Sequence, residues 1–262
     1  MFLFLVVLFS CHQNKKTEVQ SPDGKIHVSF GISDSLGINY AVNFEDSVII
    51  KDSKMGFQFE ENQVFGKDLE IVSVSEMAVN QSWNPVYGER SEIKDNYKQT
   101  TIRLKDKSSA AREYDVTFRV YNEGVAFNYT ILPLVENETL HIQKENTEFN
   151  FGKNYDCWAS ERAQSEIHKI SVNSISNPVE RPLLIETGNC TVALGEAKLI
   201  DFARMKFVSG EKENSLVAAL EGEVTVNLPY TTPWRTIMIG KSAGDLLANN
   251  FYYENLNDEC SI

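Results

Sequence analysis

Apolar and polar residues alternate with a period of two over most of the chain, the spacing of strands with one buried face. After the turn signal Ser21-Pro22-Asp23-Gly24, Ile26, Val28, Phe30 and Ile32 alternate with polar or small neighbours, and Tyr40, Val42 and Phe44 repeat the pattern. Phe57-Gln58-Phe59 continues it. Val116, Phe118 and Val120 lead into Asn122-Glu123-Gly124, and Phe127, Tyr129 and Ile131 lead back, which predicts a hairpin over 114–131. Two more hairpins are predicted. One runs from Leu183 to Leu194 and folds at Gly188-Asn189; the other joins Leu216, Ala218 and Leu220 through Glu221-Gly222 to Val224, Val226 and Leu228.

Helical signals are few. The clearest spans Ser242 to Asn249, where Ser242 can cap the free N–H groups and Asp245 faces the positive end of the helix dipole. Many strands with almost no helix between them predict an all-β class, and the length favours two large packed sheets over a small barrel. One sandwich domain is expected over 21–262, preceded by a leader and polar linker over 1–20. The least regular stretch, Ser160 to Pro182, is of the kind that carries function on β scaffolds or lacks order.

Composition narrows the function classes. The 262 residues are 42% hydrophobic, enough for a substantial core, and carry a formal charge of −12 with no basic run. Nucleic acid is therefore not an expected partner. An acidic balance leaves carboxylates for a hard cation such as calcium, although any one of them is more simply a solvated surface group.

Met1 to Phe9 is uninterrupted apolar sequence. At about 1.5 Å per residue this is too short to span a bilayer of roughly 30 Å, and it reads as a signal-peptide core. Leu8-Phe9-Ser10-Cys11 resembles a bacterial lipobox, which makes Cys11 the expected lipidated N-terminus, although no Lys or Arg precedes the apolar run. The expected location is exported, in the periplasm or outer membrane, with membrane contact only through that lipid. The other cysteines, Cys157, Cys190 and Cys260, allow at most one internal disulfide, and with the four scattered histidines they show no zinc spacing.

Self-sufficient catalytic signatures are absent from the sequence: there is no G-x-S-x-G, H-E-x-x-H or G-x-x-x-x-G-K. Glycoside hydrolysis needs a pair of carboxylates at a set separation, which a sequence does not disclose. Four clusters nevertheless stand out. Trp83-Asn84-Pro85-Val86-Tyr87-Gly88-Glu89-Arg90 reads as a strand end with a charged rim, and Glu89 is its candidate substrate-binding residue. Trp158 could stack on a sugar ring or belong to the core. Glu196 lies just past Gly195 in Leu194-Gly195-Glu196-Ala197, where it would project from a strand end; taken alone it is an ordinary exposed Glu. Thr232-Pro233-Trp234-Arg235-Thr236 leads into Ile237-Met238-Ile239 and is expected to lock the last strand into the core.

Taken together, in this order, these clusters and the opening Ser21-Pro22-Asp23-Gly24 resemble the N-terminal domain of glycoside hydrolase family 97, across essentially all of Ser21 to Ile262. The resemblance implies a large two-sheet antiparallel β-super-sandwich, galactose mutarotase-like, packed in the family on a catalytic (β/α)₈ barrel. Family members are exo-acting α-glucosidases or α-galactosidases of polysaccharide utilisation, many of them calcium-dependent. The family's N-terminal calcium ligand, in a motif like Leu-x-Glu-Ala-x-Leu-x-Asp, matches Glu196; the resemblance places the other ligands in the barrel, so calcium is expected only with the barrel and weakly at best in this domain by itself. The expected partners are therefore an α-linked oligosaccharide and a catalytic barrel in cis or trans, and no catalytic residue is assigned to this chain. Two other readings remain: a free-standing carbohydrate-binding lipoprotein using Trp158 and Trp83, and a sandwich with no ligand.

Overall fold

The computed structural model describes residues 16–60, 63–108 and 110–258, which leaves the apolar leader, Cys11 and Cys260 outside the described residues. Three antiparallel sheets account for the strands. A seven-stranded sheet runs in the spatial order Thr17–Gln20, Ile26–Ser33, Gly37–Phe44, Ser47–Lys54, Glu148–Asn150, Ser215–Leu220 and Met205–Ser209. A ten-stranded sheet has Trp234–Gly240, Gly124–Ile131 and Glu113–Tyr121 at its middle, and ends at the long strand Leu69–Trp83. A four-stranded sheet containing Thr139–Glu145 and Phe57–Phe59 completes the sandwich. The all-β class expected from the alternation is observed, and so is the super-sandwich that the resemblance implies, with a third, four-stranded sheet beside the two large ones expected.

Alternation explains how the sheets meet. Phe30 and Tyr40 of the seven-stranded sheet contact Phe118 and Phe127 of the ten-stranded sheet, with ring centroids 6.0 Å apart for Phe30–Phe118 and 5.0 Å for Tyr40–Phe127. Phe57 joins the third layer to Tyr129 at 4.9 Å, edge to face. Offset and edge-to-face pairs of this kind add about 0.5–1.5 kcal/mol each beyond burial. A second cluster lies on the outer face of the large sheet. There Tyr97, Tyr121, Trp234 and Met238 are covered by Tyr252 and Leu256 of the C-terminal segment.

The predicted hairpins at 114–131 and 183–194 form, with Phe127 opposite Phe118 and Leu183 opposite Leu194. The third does not. Ser215–Leu220 pairs with Met205–Ser209 in one sheet, whereas Val224–Asn227 pairs with Thr139–Glu145 in another. The turn at Glu221-Gly222 therefore passes the chain between sheets, and local alternation cannot distinguish a hairpin from such a crossover. The expected linker is also shorter than 1–20, because Thr17–Gln20 is an edge strand with Thr17 opposite Phe30. Ser242 caps the helix Ala243–Ala248 as expected, in a reciprocal capping box with Asp245, and a further short helix, Phe251–Glu254, follows. Among the described residues no helix is long and apolar enough to cross a membrane.

Candidate functional site

Strand Thr191–Ala197 positions the site. Val192 and Leu194 point into the inter-sheet core, and a period of two sends Glu196 the same way. The strand continues through Ala197, so Glu196 does not project from its end, and its side chain is only 4% exposed. This corrects the reading of an ordinary exposed Glu. Directly opposite on the neighbouring strand stands Arg235, whose Nη1 donates to Glu196 Oε2 at 2.8 Å. Arg235 is fully buried and donates three further hydrogen bonds to Glu145, on the four-stranded sheet, at 2.5 to 3.1 Å. Burial works against the guanidinium charge, but Glu145 and Glu196 outweigh it and hold Arg235 protonated above its ordinary range.

The remaining acceptor positions of Glu196 are also taken. Arg181 Nε donates to Oε1, and the Met205 backbone N–H reaches both oxygens at 3.2 Å. Arg181 Nη1 goes on to Glu180 Oε2 at 2.8 Å. Glu180 in turn lies 3.1 Å from Lys206 Nζ and 3.4 Å from Arg204, and both of these reach Glu221. A chain of ion pairs thus runs from the core to the surface. Glu180, Arg181, Glu196 and Arg204 line an open cavity of about 640 Å³, with Tyr253 and Asn257 of the C-terminal segment on another wall.

Gly195 explains how that segment sits so close. A Cβ there would lie 2.7 Å from the Tyr253 hydroxyl and 3.1 Å from Thr236 Oγ1. The tip of the hairpin made by Leu69–Trp83 and Ile93–Asp106 holds the segment in place. Trp83 Nε1 donates to Asn255 Oδ1 at 2.8 Å; Arg90 donates to Asn250 Oδ1 at 2.6 Å and to the Ala248 carbonyl at 2.7 Å. The Arg90 guanidinium also lies over the Phe251 ring at 5.2 Å.

The three residues singled out for binding do not converge. Glu196 faces inward, and Glu89 is exposed at the hairpin tip beside Arg90. Trp158 stands on the outward side of strand Asp156–Ala159, opposite Lys169 and Leu184. It is 41% exposed, which decides against the core reading. Its Nε1 donates to Glu186 Oε1 at 2.8 Å, and Lys169 bonds the other carboxylate oxygen at 2.6 Å. The irregular stretch that follows is ordered. It contains the strand His168–Ser171, and Val179 exchanges backbone hydrogen bonds of 2.9 Å with Phe207. Trp234 is buried on the outer face under the C-terminal segment, so Arg235 takes the core position.

Glu145, Glu180, Arg181, Arg204 and Arg235 are the site residues that sequence reasoning missed. Arg235 carried a signal: period two places it on one face with Ile237 and Ile239, and an arginine on a buried face requires carboxylate partners. Which carboxylates those are depends on sheets joined only in three dimensions.

Calcium takes six to eight oxygen ligands. Both Glu196 oxygens already accept from guanidinium and backbone donors, and among the described residues no group of three His, Cys, Asp or Glu side chains could hold a metal. The residues present therefore do not fit the ion in this arrangement.

Residues 19–258 match the family described as Glycosyl-hydrolase 97 N-terminal. The chain belongs to glycoside hydrolase family 97, as its N-terminal domain. Structures of a family 97 enzyme from Pseudoalteromonas sp. strain K8, one in complex with acarbose and one of a variant with panose, match this domain with a TM-score of 0.82. Identity is 26%, over 88% of this chain and 36% of theirs. A retaining alpha-galactosidase of Bacteroides thetaiotaomicron is 26% identical over 130 residues, covering 49% of this chain and 18% of that protein. A beta-arabinopyranosidase structure shares the fold, with a TM-score of 0.77 at 18% identity over 86% of this chain and 40% of that one. The family 97 domain thus spans well under half the length of the proteins it matches.

Proposed function

We propose that this domain is the non-catalytic sandwich of an α-glycoside hydrolase, completed by a (β/α)₈ barrel in cis or trans and supplying part of the substrate-pocket wall. The observation that carries this reading is the state of the carboxylates in the cavity: Glu180 and Glu196 are both committed to Arg181. Hydrolysis needs one carboxyl free to give a proton and another free to act as nucleophile or base. Both Glu196 oxygens accept from arginine, and Glu180 lies among Arg181, Arg204 and Lys206, which favour its ionised form, whereas Arg181, Tyr253 and Asn257 can offer hydrogen bonds to sugar hydroxyls from the wall. The likeness to enzymes in complex with panose and acarbose supports an α-linked oligosaccharide as the partner.

The test is a pair of measurements on the purified chain. Neither p-nitrophenyl α-glucoside nor α-galactoside should be turned over, and panose and acarbose should show no saturable calorimetric binding until a barrel is added. Turnover by the chain alone would overturn the reading.

A second reading, a free-standing carbohydrate-binding module, is favoured by one feature. The exposed Trp158 is held by its indole N–H to Glu186, which offers a fixed aromatic surface to solvent. It requires saturable panose binding by the chain alone that is lost in Trp158→Ala. Glu89, exposed at the hairpin tip, is proposed as a rim contact in either case.

Export is part of the proposal. It rests on the apolar run Met1 to Phe9 ahead of Cys11. Labelled palmitate should be incorporated by the full chain and not by Cys11→Ser.

A further inference from the structure

We propose that Arg181 serves Glu196 as a built-in cation, holding the place a divalent metal ion would take at this carboxylate, so that the domain neutralises Glu196 with its own residues. The connected charges balance: Arg181, Arg204, Lys206 and Arg235 face Glu145, Glu180, Glu196 and Glu221. A divalent ion added at Glu196 would leave two positive charges uncompensated against guanidinium groups in hydrogen-bond contact. One of those groups would have to withdraw.

The two guanidiniums are not equivalent. Arg235 is 1% exposed and bound to Glu145 through three hydrogen bonds, so withdrawing it would leave the fully buried Glu145 carboxylate unpaired. Arg181 is 18% exposed, lines the cavity and already shares its charge with Glu180. It is therefore the group a cation would have to displace. In its absence Glu180 and Glu196, both bound to this one guanidinium, would face the space it leaves. The inference shares the Arg181 contacts with the proposed function, but the two fail separately: melting temperatures decide this one, turnover and sugar binding the other.

Thermal melts of the purified chain, with millimolar calcium chloride or with EGTA, test it. The unaltered chain should melt at the same temperature in both. Arg181→Gln should melt several degrees lower in EGTA and recover part of that loss in calcium. Arg181→Lys keeps the charge without the planar fork and should fall between the two, which preserves the test if the glutamine variant does not fold. Three results would each overturn the inference: a calcium-dependent rise in the unaltered chain, an Arg181 variant that melts unchanged in EGTA, or a folded Arg181→Gln that ignores calcium.

Discussion

Glu196 and Arg235 stand directly opposite one another on adjacent strands, and the Arg235 guanidinium bridges the carboxylate of Glu196 to that of Glu145 in a different sheet. The Arg235–Glu145 pair ties two sheets together at a position where the alternation would otherwise place aliphatic side chains. Arg235→Met keeps much of the volume but strands Glu145, which has no solvent exposure. Breaking a buried pair by removing one partner costs about 3–5 kcal/mol. Urea unfolding of Arg235→Met should show a correspondingly lower midpoint with an unchanged m-value; a shift under about 1 kcal/mol would mean that the pair contributes little.

The hairpin tip is expected to act as a latch for the C-terminal helices. Arg90→Ala removes two hydrogen bonds and the contact with Phe251, yet it touches no residue of the inter-sheet core. Hydrogen exchange should therefore accelerate over 243–257 and stay unchanged in Gly124–Ile131 and Trp234–Gly240. Equal acceleration in all three segments would show that the latch is part of the global fold.

Acid should unfold the domain partly through Glu138. The hydrogen bonds from Arg112 hold its carboxyl below the ordinary carboxylate range. A depressed folded pKa gives stability that is fully present above the unfolded value of about 4.3 and is lost as pH falls through the folded one. Glu138→Gln should lower stability by about 2 kcal/mol at pH 7 and flatten the acid limb of the pH–stability curve below about pH 4. An acid limb of unchanged slope would remove Glu138 from the account.

Cys157 and Cys190 are buried free thiols; burial pushes Cys157 up to about 11 and raises Cys190 as well. Thiolates are the reactive form. Neither should react with Ellman's reagent in the folded chain at pH 8, and both should react after denaturation. Prompt labelling of the folded chain would show that the sheet around Cys157 opens readily.

Gly124 begins a strand with φ +157°, and a Cβ there would lie 2.5 Å from the Ile237 carbonyl oxygen and 2.8 Å from Met238 Cα. Backbone atoms of a central strand cannot step aside. Gly124→Ala should destabilise by more than about 1 kcal/mol, whereas the same change at Gly222, also at positive φ but with open space around it, should cost less. Equal losses in thermal melts of the two variants would contradict the close approach.

The alternation of Val116, Phe118 and Val120 with polar neighbours determined strands, inward faces and the all-β class, because a period of two is a local property of the backbone. The cap formed by Ser242 and Asp245 was legible for the same reason. The long strand Leu69–Trp83 was not, since much of it is exposed and alternation marks only a strand with one buried face. Nor was the crossover at Glu221-Gly222, whose local signal equals that of a hairpin. Glu196 is the sharpest case. Its place in the strand followed from sequence, but its burial and both its arginine partners depend on residues 15 and 39 positions away. Such charge pairing is set by which distant segments come to lie side by side in a sheet, and only the folded chain decides that.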